Sequence, residues 1–262
     1  MRLDERSKRM GSPVYGTWIR PKKLVAFWIL TLCLGSLSLL GLAWHPLFLT
    51  GLLALPFAYT AIVISMTALA FSEKGGDFQN KIHSLVIRSC ALDTEVLDIG
   101  CGNGNMLINY AKTYPHGRYL GIDCWGDEWQ YSKERCERNA KLEGIENIGF
   151  VQGSASSLPF PDASFSNVIS CLTFHEVKDA SDKLVSFKEA LRVLNHDGSF
   201  AVFDLFEDAK YYGERSGILE TLESLGAADI KYLPLRDVMR LGFPLNSPRS
   251  LRHAVLICGT KK

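Results

Sequence analysis

The chain has 262 residues, a formal net charge of +1 and 22% charged residues. That length admits one large domain or two small ones, and with no basic excess to neutralise a phosphate backbone, no nucleic-acid partner is expected. The balance is uneven along the chain, because Leu24 to Phe71 contains no Asp, Glu, Lys or Arg. The seven cysteines (Cys33, Cys90, Cys101, Cys124, Cys136, Cys171 and Cys258) form no CxxC pair. Their odd number and irregular spacing argue against a disulfide framework or a zinc site, so no metal is expected. Most read as small buried hydrophobes in a reducing compartment.

Residues 1–23 form a basic N-terminal segment carrying Arg2, Arg6, Lys8, Arg9, Arg20, Lys22 and Lys23. A helix needs about 20 apolar residues to cross the hydrocarbon core, and Leu24–Ala43 and Leu47–Phe71 each reach that length. Trp44-His45-Pro46 breaks them, with Pro46 placed for the first turn of a second helix. An all-α transmembrane hairpin over residues 24–71 is therefore expected, with every backbone polar group satisfied inside a helix. Gly51, Ala54, Ala58, Ala61, Ser65 and Ala68 fall on one face of the second span, and Thr31, Gly35 and Ser38 on a strip of the first. Small residues let helix backbones approach, so these faces either pack the hairpin on itself or make a homodimer, with a kink near Pro56. The cations precede the first span and are absent from the turn. Positive flanks stay cytoplasmic, which predicts an integral membrane protein with both termini and the domain at 72–262 in the cytosol. No small-residue cleavage site separates the spans, against a signal peptide.

After the linker Ser72–Asp77, an amphipathic helix is expected over Phe78–Cys90. Strands follow at Glu95–Ile99, Tyr119–Ile122, Ile148–Gln152, Asn167–Cys171 and Ser199–Leu205. Helices lie between and after them, at Met106–Thr113, Glu128–Glu143, Lys183–Leu194 and Glu214–Leu225. Alternating short apolar strands and helices predict a parallel sheet covered on both faces. Asp229–Leu233 and Arg252–Cys258 would add an antiparallel pair at one edge. The fold class is thus α/β, doubly wound, with a mostly parallel seven-stranded sheet.

The first strand runs into Val96-Leu97-Asp98-Ile99-Gly100-Cys101-Gly102-Asn103-Gly104. Glycines permit a tight turn and a close ligand approach, and a loop at this end of a parallel sheet is the expected ligand site. The GxGxG spacing differs from the dinucleotide GxGxxG, because Asn105 stands where the last glycine would fall. The segment resembles the first motif of class I S-adenosylmethionine (SAM)-dependent methyltransferases. Gly121-Ile122-Asp123 is similar to the acidic end of that family's second strand, and Ser157–Phe165 (SLPFPDASF) to its "LPFPDxSFD" stretch. Asn167–Cys171 resembles its fourth strand, and Ala190–Gly198 (ALRVLNHDG) its "ALRVLKPGG" stretch. The five segments occur in the family's order over roughly residues 82–259, and the overall pattern is similar to the broad group containing quinone C-methyltransferases.

This resemblance implies a Rossmann-like fold, SAM as methyl donor and the following roles. Asp98 would orient the donor's methionine end, while Gly100, Gly102 and Gly104 let the backbone lie against methionine and ribose. Asp123 would accept from the ribose hydroxyls; a helix cap is its alternative role. Cys124 and Trp125 would cover an adenine face, with half-buried packing the alternative for Trp125. Cys101, Ala155 and Cys171 would line the same pocket. Two positions depart from the family. Ser154 replaces an acid that usually meets the adenine amino group, which removes charge from that contact. Asn195-His196-Asp197-Gly198 replaces a Lys-Pro-Gly-Gly turn, with Gly198 expected to supply the turn conformation. Methyl transfer needs a base only if the acceptor sheds a proton. His175, after the fourth strand, is the candidate, either as base or as pocket wall, with Glu176 orienting or charging it. Tyr211 and Tyr212 would close the acceptor site or simply pack. The expected activity is methylation of a small, lipophilic acceptor such as a quinone precursor, lipid, phenol or thiol at the bilayer. Methylation of a membrane protein and a SAM-binding scaffold without catalysis are the alternatives.

Overall fold

The computed structural model describes residues 11–40, 49–90, 95–126, 131–247 and 250–262. They form two compact units, one of residues 17–80 and one of residues 81–262 together with the segment that ends at Gly16.

The first unit holds two helices, α1 (Pro21–Leu40) and α2 (Thr50–Phe71). Both are long and apolar enough, by length and composition, to cross a membrane. Helix α1 begins three residues before the expected span, because Pro21 fits a first helical turn and Lys22 and Lys23 join it. The turn Trp44-His45-Pro46 lies outside the described residues. The two helices pack against each other through small and polar groups. A Cβ on Gly51 would overlap the side chain of Ser38, 3.2 Å from its Cβ. Thr50 Oγ1 donates to Leu34 O at 3.2 Å, and Trp28 Nε1 donates to Ser65 Oγ at 3.2 Å. Helix α2 continues through Pro56, and Thr60 Oγ1 takes the Pro56 carbonyl at 2.8 Å. Outward residues such as Leu32, Leu39, Leu52 and Leu55 are exposed.

The second unit is a seven-stranded sheet flanked by helices. In chain order it comprises α3 (Phe78–Arg88, starting just before the division), β1 (Glu95–Ile99), α4 (Asn105–Thr113), β2 (Arg118–Asp123), α5 (Lys133–Leu142), β3 (Ile148–Gln152) and β4 (Phe165–Cys171). A 3-10 turn at Phe174–Glu176 follows, then α6 (Leu184–Val193), β5 (Leu194–Asp204), α7 (Arg215–Ser224), β6 (Ala227–Pro234), α8 (Leu235–Val238) and β7 (Val255–Lys261). The sheet order is β3-β2-β1-β4-β5-β7-β6. Strands β1 to β5 are parallel, and β7 runs antiparallel between β5 and β6. This is a doubly wound, Rossmann-like sheet. Val96, Leu97, Val168, Ile169 and Phe200 to Phe203 are fully buried, as a sheet covered on both faces requires.

Three elements differ from the sequence expectation for local reasons. Helix α5 starts at Lys133, because Ser132 caps it by accepting from Arg135 N at 3.2 Å; Glu128 lies outside the described residues. Strand β5 starts at Leu194, which pairs with Phe165, and Asn195 to Gly198 bulge out before Ser199 pairs with Asn167. In that bulge the left-handed residue is Asp197 (φ 63°), not Gly198. Gly198 is needed for space, since a Cβ there would lie 2.9 Å from Ser166 O. Strand β7 extends to Lys261 and leaves Arg252 and His253 in the preceding segment.

Candidate functional site

The parallel sheet reverses its winding between β1 and β4, and the C-terminal ends of the strands at such a switch point are where ligands of these sheets bind. The glycine loop fills the β1 side. Gly100, Gly102 and Gly104 have φ of 78°, 58° and 80°, a region that L side chains rarely adopt. A Cβ on Gly100 would collide with Thr173 Oγ1 and Cγ2. On Gly104 it would lie 3.2 Å from the Phe150 ring. The loop ends in helix α4, with Gly104 as its N-cap.

Asp98 is fully buried, and neither of its carboxylate oxygens has a hydrogen-bond partner. Burial, reinforced by the Asp123 charge, pushes its pKa well above the carboxylate range. Asp123 closes β2. Its Oδ2 accepts from Gly102 N at 2.8 Å and its Oδ1 from Trp125 N at 2.8 Å. Burial raises its pKa against these N–H donors. Each oxygen keeps a second lone pair for a ligand, so the capping contact and the expected ribose contact are compatible. Trp125 is drawn onto the loop, its Nε1 donating to Gly102 O at 2.9 Å. Cys124 is exposed beside it. Cys101 is buried, in contact range of a Cβ on Gly121. Cys171 is buried, and its thiol pKa is raised by burial and by the charges of Asp98 and Asp204. Ala155 is buried in the adjoining core.

The β4 side carries a second constellation. Leu172 takes φ 53° and turns the chain into Thr173, whose Oγ1 contacts Gly100 O at 3.5 Å and Cys171 O at 3.3 Å. The short turn that follows aims His175 at the end of β5. His175 Nδ1 lies 2.5 Å from Asp204 Oδ1, and the His175 N–H donates to Asp204 Oδ2 at 3.1 Å. The imidazole is 11% exposed and Asp204 1%. Glu176 Oε1 stands 3.8 Å from His175 Nε2. Burial pulls the imidazole pKa down, but the charge and hydrogen bond of Asp204, with Glu176 and Asp208, outweigh it and leave it raised. The Tyr211 ring lies 5.2 Å from the His175 ring. Tyr212 is buried, its pKa raised by burial and by Asp204.

Several members of the site had no sequence signal. Asp204 lies 29 residues from His175 and reads as the polar end of an apolar strand. Asp179 accepts from Ser154 Oγ at 2.6 Å, and Ser156 Oγ lies 2.9 Å from Ser154 Oγ. An acid thus stands beside the position where the sequence has lost one. Asn139 ties the N-terminal segment to the loop: its Oδ1 accepts from Val14 N at 2.8 Å, and its Nδ2 donates to Val14 O and Asn103 O, each at 3.0 Å. Asn103 Nδ2 in turn donates to Tyr15 O at 2.9 Å. Among the described residues no three His, Cys, Asp or Glu side chains are grouped to hold a metal.

Residues 96–198, from β1 into β5, match the family model described as "Methyltransferase domain". This stretch, less than half of the chain, is similar to a methyltransferase domain. The residues of the site fit SAM: the orphaned, buried Asp98 carboxylate lacks a cationic partner that an α-amino group would supply, and the glycine loop leaves no Cβ in the way. Relatives agree. The uncharacterised methyltransferase YcgJ of Bacillus subtilis (strain 168) is 35% identical over 118 residues, 44% of this chain and 42% of that protein. A fatty-acid O-methyltransferase of Mycolicibacterium smegmatis is 31% identical over 156 residues, 60% of this chain and 51% of that protein. The chain thus spans about half or less of the length of these relatives. The structure of geranyl diphosphate C-methyltransferase from Streptomyces coelicolor A3(2), solved with Mg2+, geranyl diphosphate and S-adenosyl-L-homocysteine, shares the fold. Its TM-score is 0.55 at 15% identity, over 72% of this chain and 81% of that one.

Proposed function

We propose that the protein is a membrane-anchored SAM-dependent methyltransferase whose acceptor is a small, lipophilic molecule with a hydroxyl, phenolic or thiol proton to lose. The observation that carries this reading is the buried His175–Asp204 pair, tied through Thr173 to the glycine loop. When bound, SAM supplies an activated methyl group on its sulfonium. Asp98 receives the donor's amino group, and Asp123 its ribose hydroxyls. Asp204 holds His175 through Nδ1 and leaves Nε2 to take the acceptor's proton as the new bond forms. A base whose pKa is raised by a neighbouring carboxylate suits that task. Fixing donor and acceptor side by side and excluding water supplies the remaining acceleration.

The lipophilic class is supported by the two apolar helices and by a similar protein named for fatty-acid O-methylation. On this reading the two helices form a transmembrane hairpin, and both termini and the methyltransferase domain face the cytosol, a side supported by the cations of residues 1–23. The test has two parts. Calorimetry on the full chain in detergent reads SAM binding. Incubation of membranes containing the protein with methyl-labelled SAM then reads the acceptor. Label in the organic extract is expected; label confined to protein overturns the small-molecule reading.

A further inference from the structure

In the α/β unit, large apolar side chains are exposed at three described positions, Val14, Val238 and Phe243. Two of these fall in the segment 235–254 between β6 and β7. Phe243 is 60% exposed and Val238 43%. They do not sit on a slack loop. Leu235, Leu245, Leu251 and Ala254 are buried and anchor the segment from beneath. Backbone bonds brace it from Leu251 N to Leu245 O at 3.0 Å, Met239 N to Leu235 O at 2.8 Å and Leu235 N to Ala254 O at 2.9 Å. The outward apolar groups are therefore held out by a fixed backbone.

The charge of the segment is mostly basic. Its described residues include three arginines, Arg236, Arg240 and Arg252, against the single carboxylate Asp237, in a chain whose whole excess is +1. Arg236 is paired with Glu207, whereas Arg240 and Arg252 are exposed. A cleft of about 450 Å³ beside the segment is lined by Glu207, Arg236, Asn246, Arg252 and His253. Strand direction fixes where this surface lies. Strand β6 ends and β7 begins at the same sheet edge at which β5 ends, with Pro234 and Asp204 both paired to Val255. Glu207 N donates to His253 O at 3.2 Å, which ties the segment to the stretch just after Asp204. The surface therefore borders the His175 side of the site.

We propose that segment 235–254 is a docking surface for an anionic lipid bilayer. Phe243 and Val238 enter the headgroup–acyl boundary while Arg240 and Arg252 meet headgroup phosphates, the pairing of apolar and basic groups that interfacial binding uses. Docking in this way turns the acceptor side of the sheet toward the bilayer, so that a lipid-dissolved molecule reaches His175 without crossing bulk water. The proposal needs only the 235–254 surface and holds whatever the acceptor is.

Hydrogen exchange read by mass spectrometry tests it on the full chain. The protein is compared in nanodiscs of phosphatidylcholine alone, in nanodiscs containing phosphatidylglycerol, and in detergent. Peptides from 235–254 are expected to exchange about thirtyfold more slowly on the anionic disc, from two arginines near a charged surface. High salt should remove most of that protection by screening. The R240E/R252E variant, and separately Phe243→Ser, should lose the protection while SAM still binds. Equal exchange in all three settings overturns the proposal. Protection that appears in detergent and grows with protein concentration also overturns it, since that marks a second copy as the occupant. Calorimetry with SAM on the same samples separates either result from failure of the methyltransferase reading.

Discussion

The two halves of the site are built by different means. On the β1–β2 side, three left-handed glycines and two carboxylates at strand ends lie within 26 consecutive residues, Asp98 to Asp123. Their geometry is mostly backbone geometry. On the β4–β5 side, His175 and Asp179 come from the connection after β4, Asp204 from the end of β5 and Tyr211 from the connection after it, and what matters is how their side chains meet. On the proposed reading the donor would meet a backbone cradle and the acceptor would meet side chains. Damage to the first half should therefore appear in donor affinity and damage to the second in turnover.

The sharpest test of that division is His175→Ala. If His175 takes the acceptor's proton, methyl transfer should fall by about 10²–10⁴-fold, with the SAM dissociation constant by calorimetry unchanged. Equal losses in both would place His175 in donor binding and dissolve the contrast. Gly100→Ala is the converse. Left-handed strain of about 1–2 kcal/mol adds to the collision with Thr173. Donor affinity should drop roughly a hundredfold or more, unless Thr173→Gly, made in the same chain, relieves the overlap and restores part of it.

Asp204→Asn probes how the second half is wired. The wild-type imidazole acts when neutral, so activity should rise with pH through a pKa above the ordinary histidine value. Removing the Asp204 charge lets burial dominate and lowers that pKa. The acid limb of the turnover profile should then move to lower pH, while the plateau falls by about tenfold or more as the ring loses its orientation. A lower plateau with an unmoved limb would mean that Asp204 holds the ring but does not charge it.

What the sequence made legible follows the same line. The glycine loop, Asp123 and the alternation of strands and helices could be read because turn chemistry and periodicity are local properties. His175 was visible through its place after the fourth strand. Asp204 was not: it ends an apolar strand, and only the β4–β5 pairing of Cys171 with Phe203 brings the two connections together. The Asn195–Gly198 turn was legible as a turn, yet its left-handed residue proved to be Asp197, because the space at Gly198 is set by Ser166 on the neighbouring strand. Asn139 gave no signal for a comparable reason, since its partner Val14 lies 125 residues away.

The smallest expected effect bears on the one place where the first half departs from its pattern. Ser154 stands where an acid is usual, and the structure sets Asp179 against it, with the Asp179 pKa lowered by hydrogen bonds from Ser154 and Ser156. If that relayed carboxylate serves the adenine edge, Asp179→Asn should weaken SAM binding about three- to tenfold, the scale of one hydrogen bond of ~0.5–1.5 kcal/mol. Ser154→Ala should cost less, because Asp179 keeps Ser156 as a partner. Ser154→Asp would set two carboxylates side by side and should weaken binding rather than improve it, by like-charge repulsion. Tighter SAM binding by Ser154→Asp would show that Asp179 stands apart from the adenine edge. The donor half would then be a purely local construction, with no side chain borrowed from across the sheet.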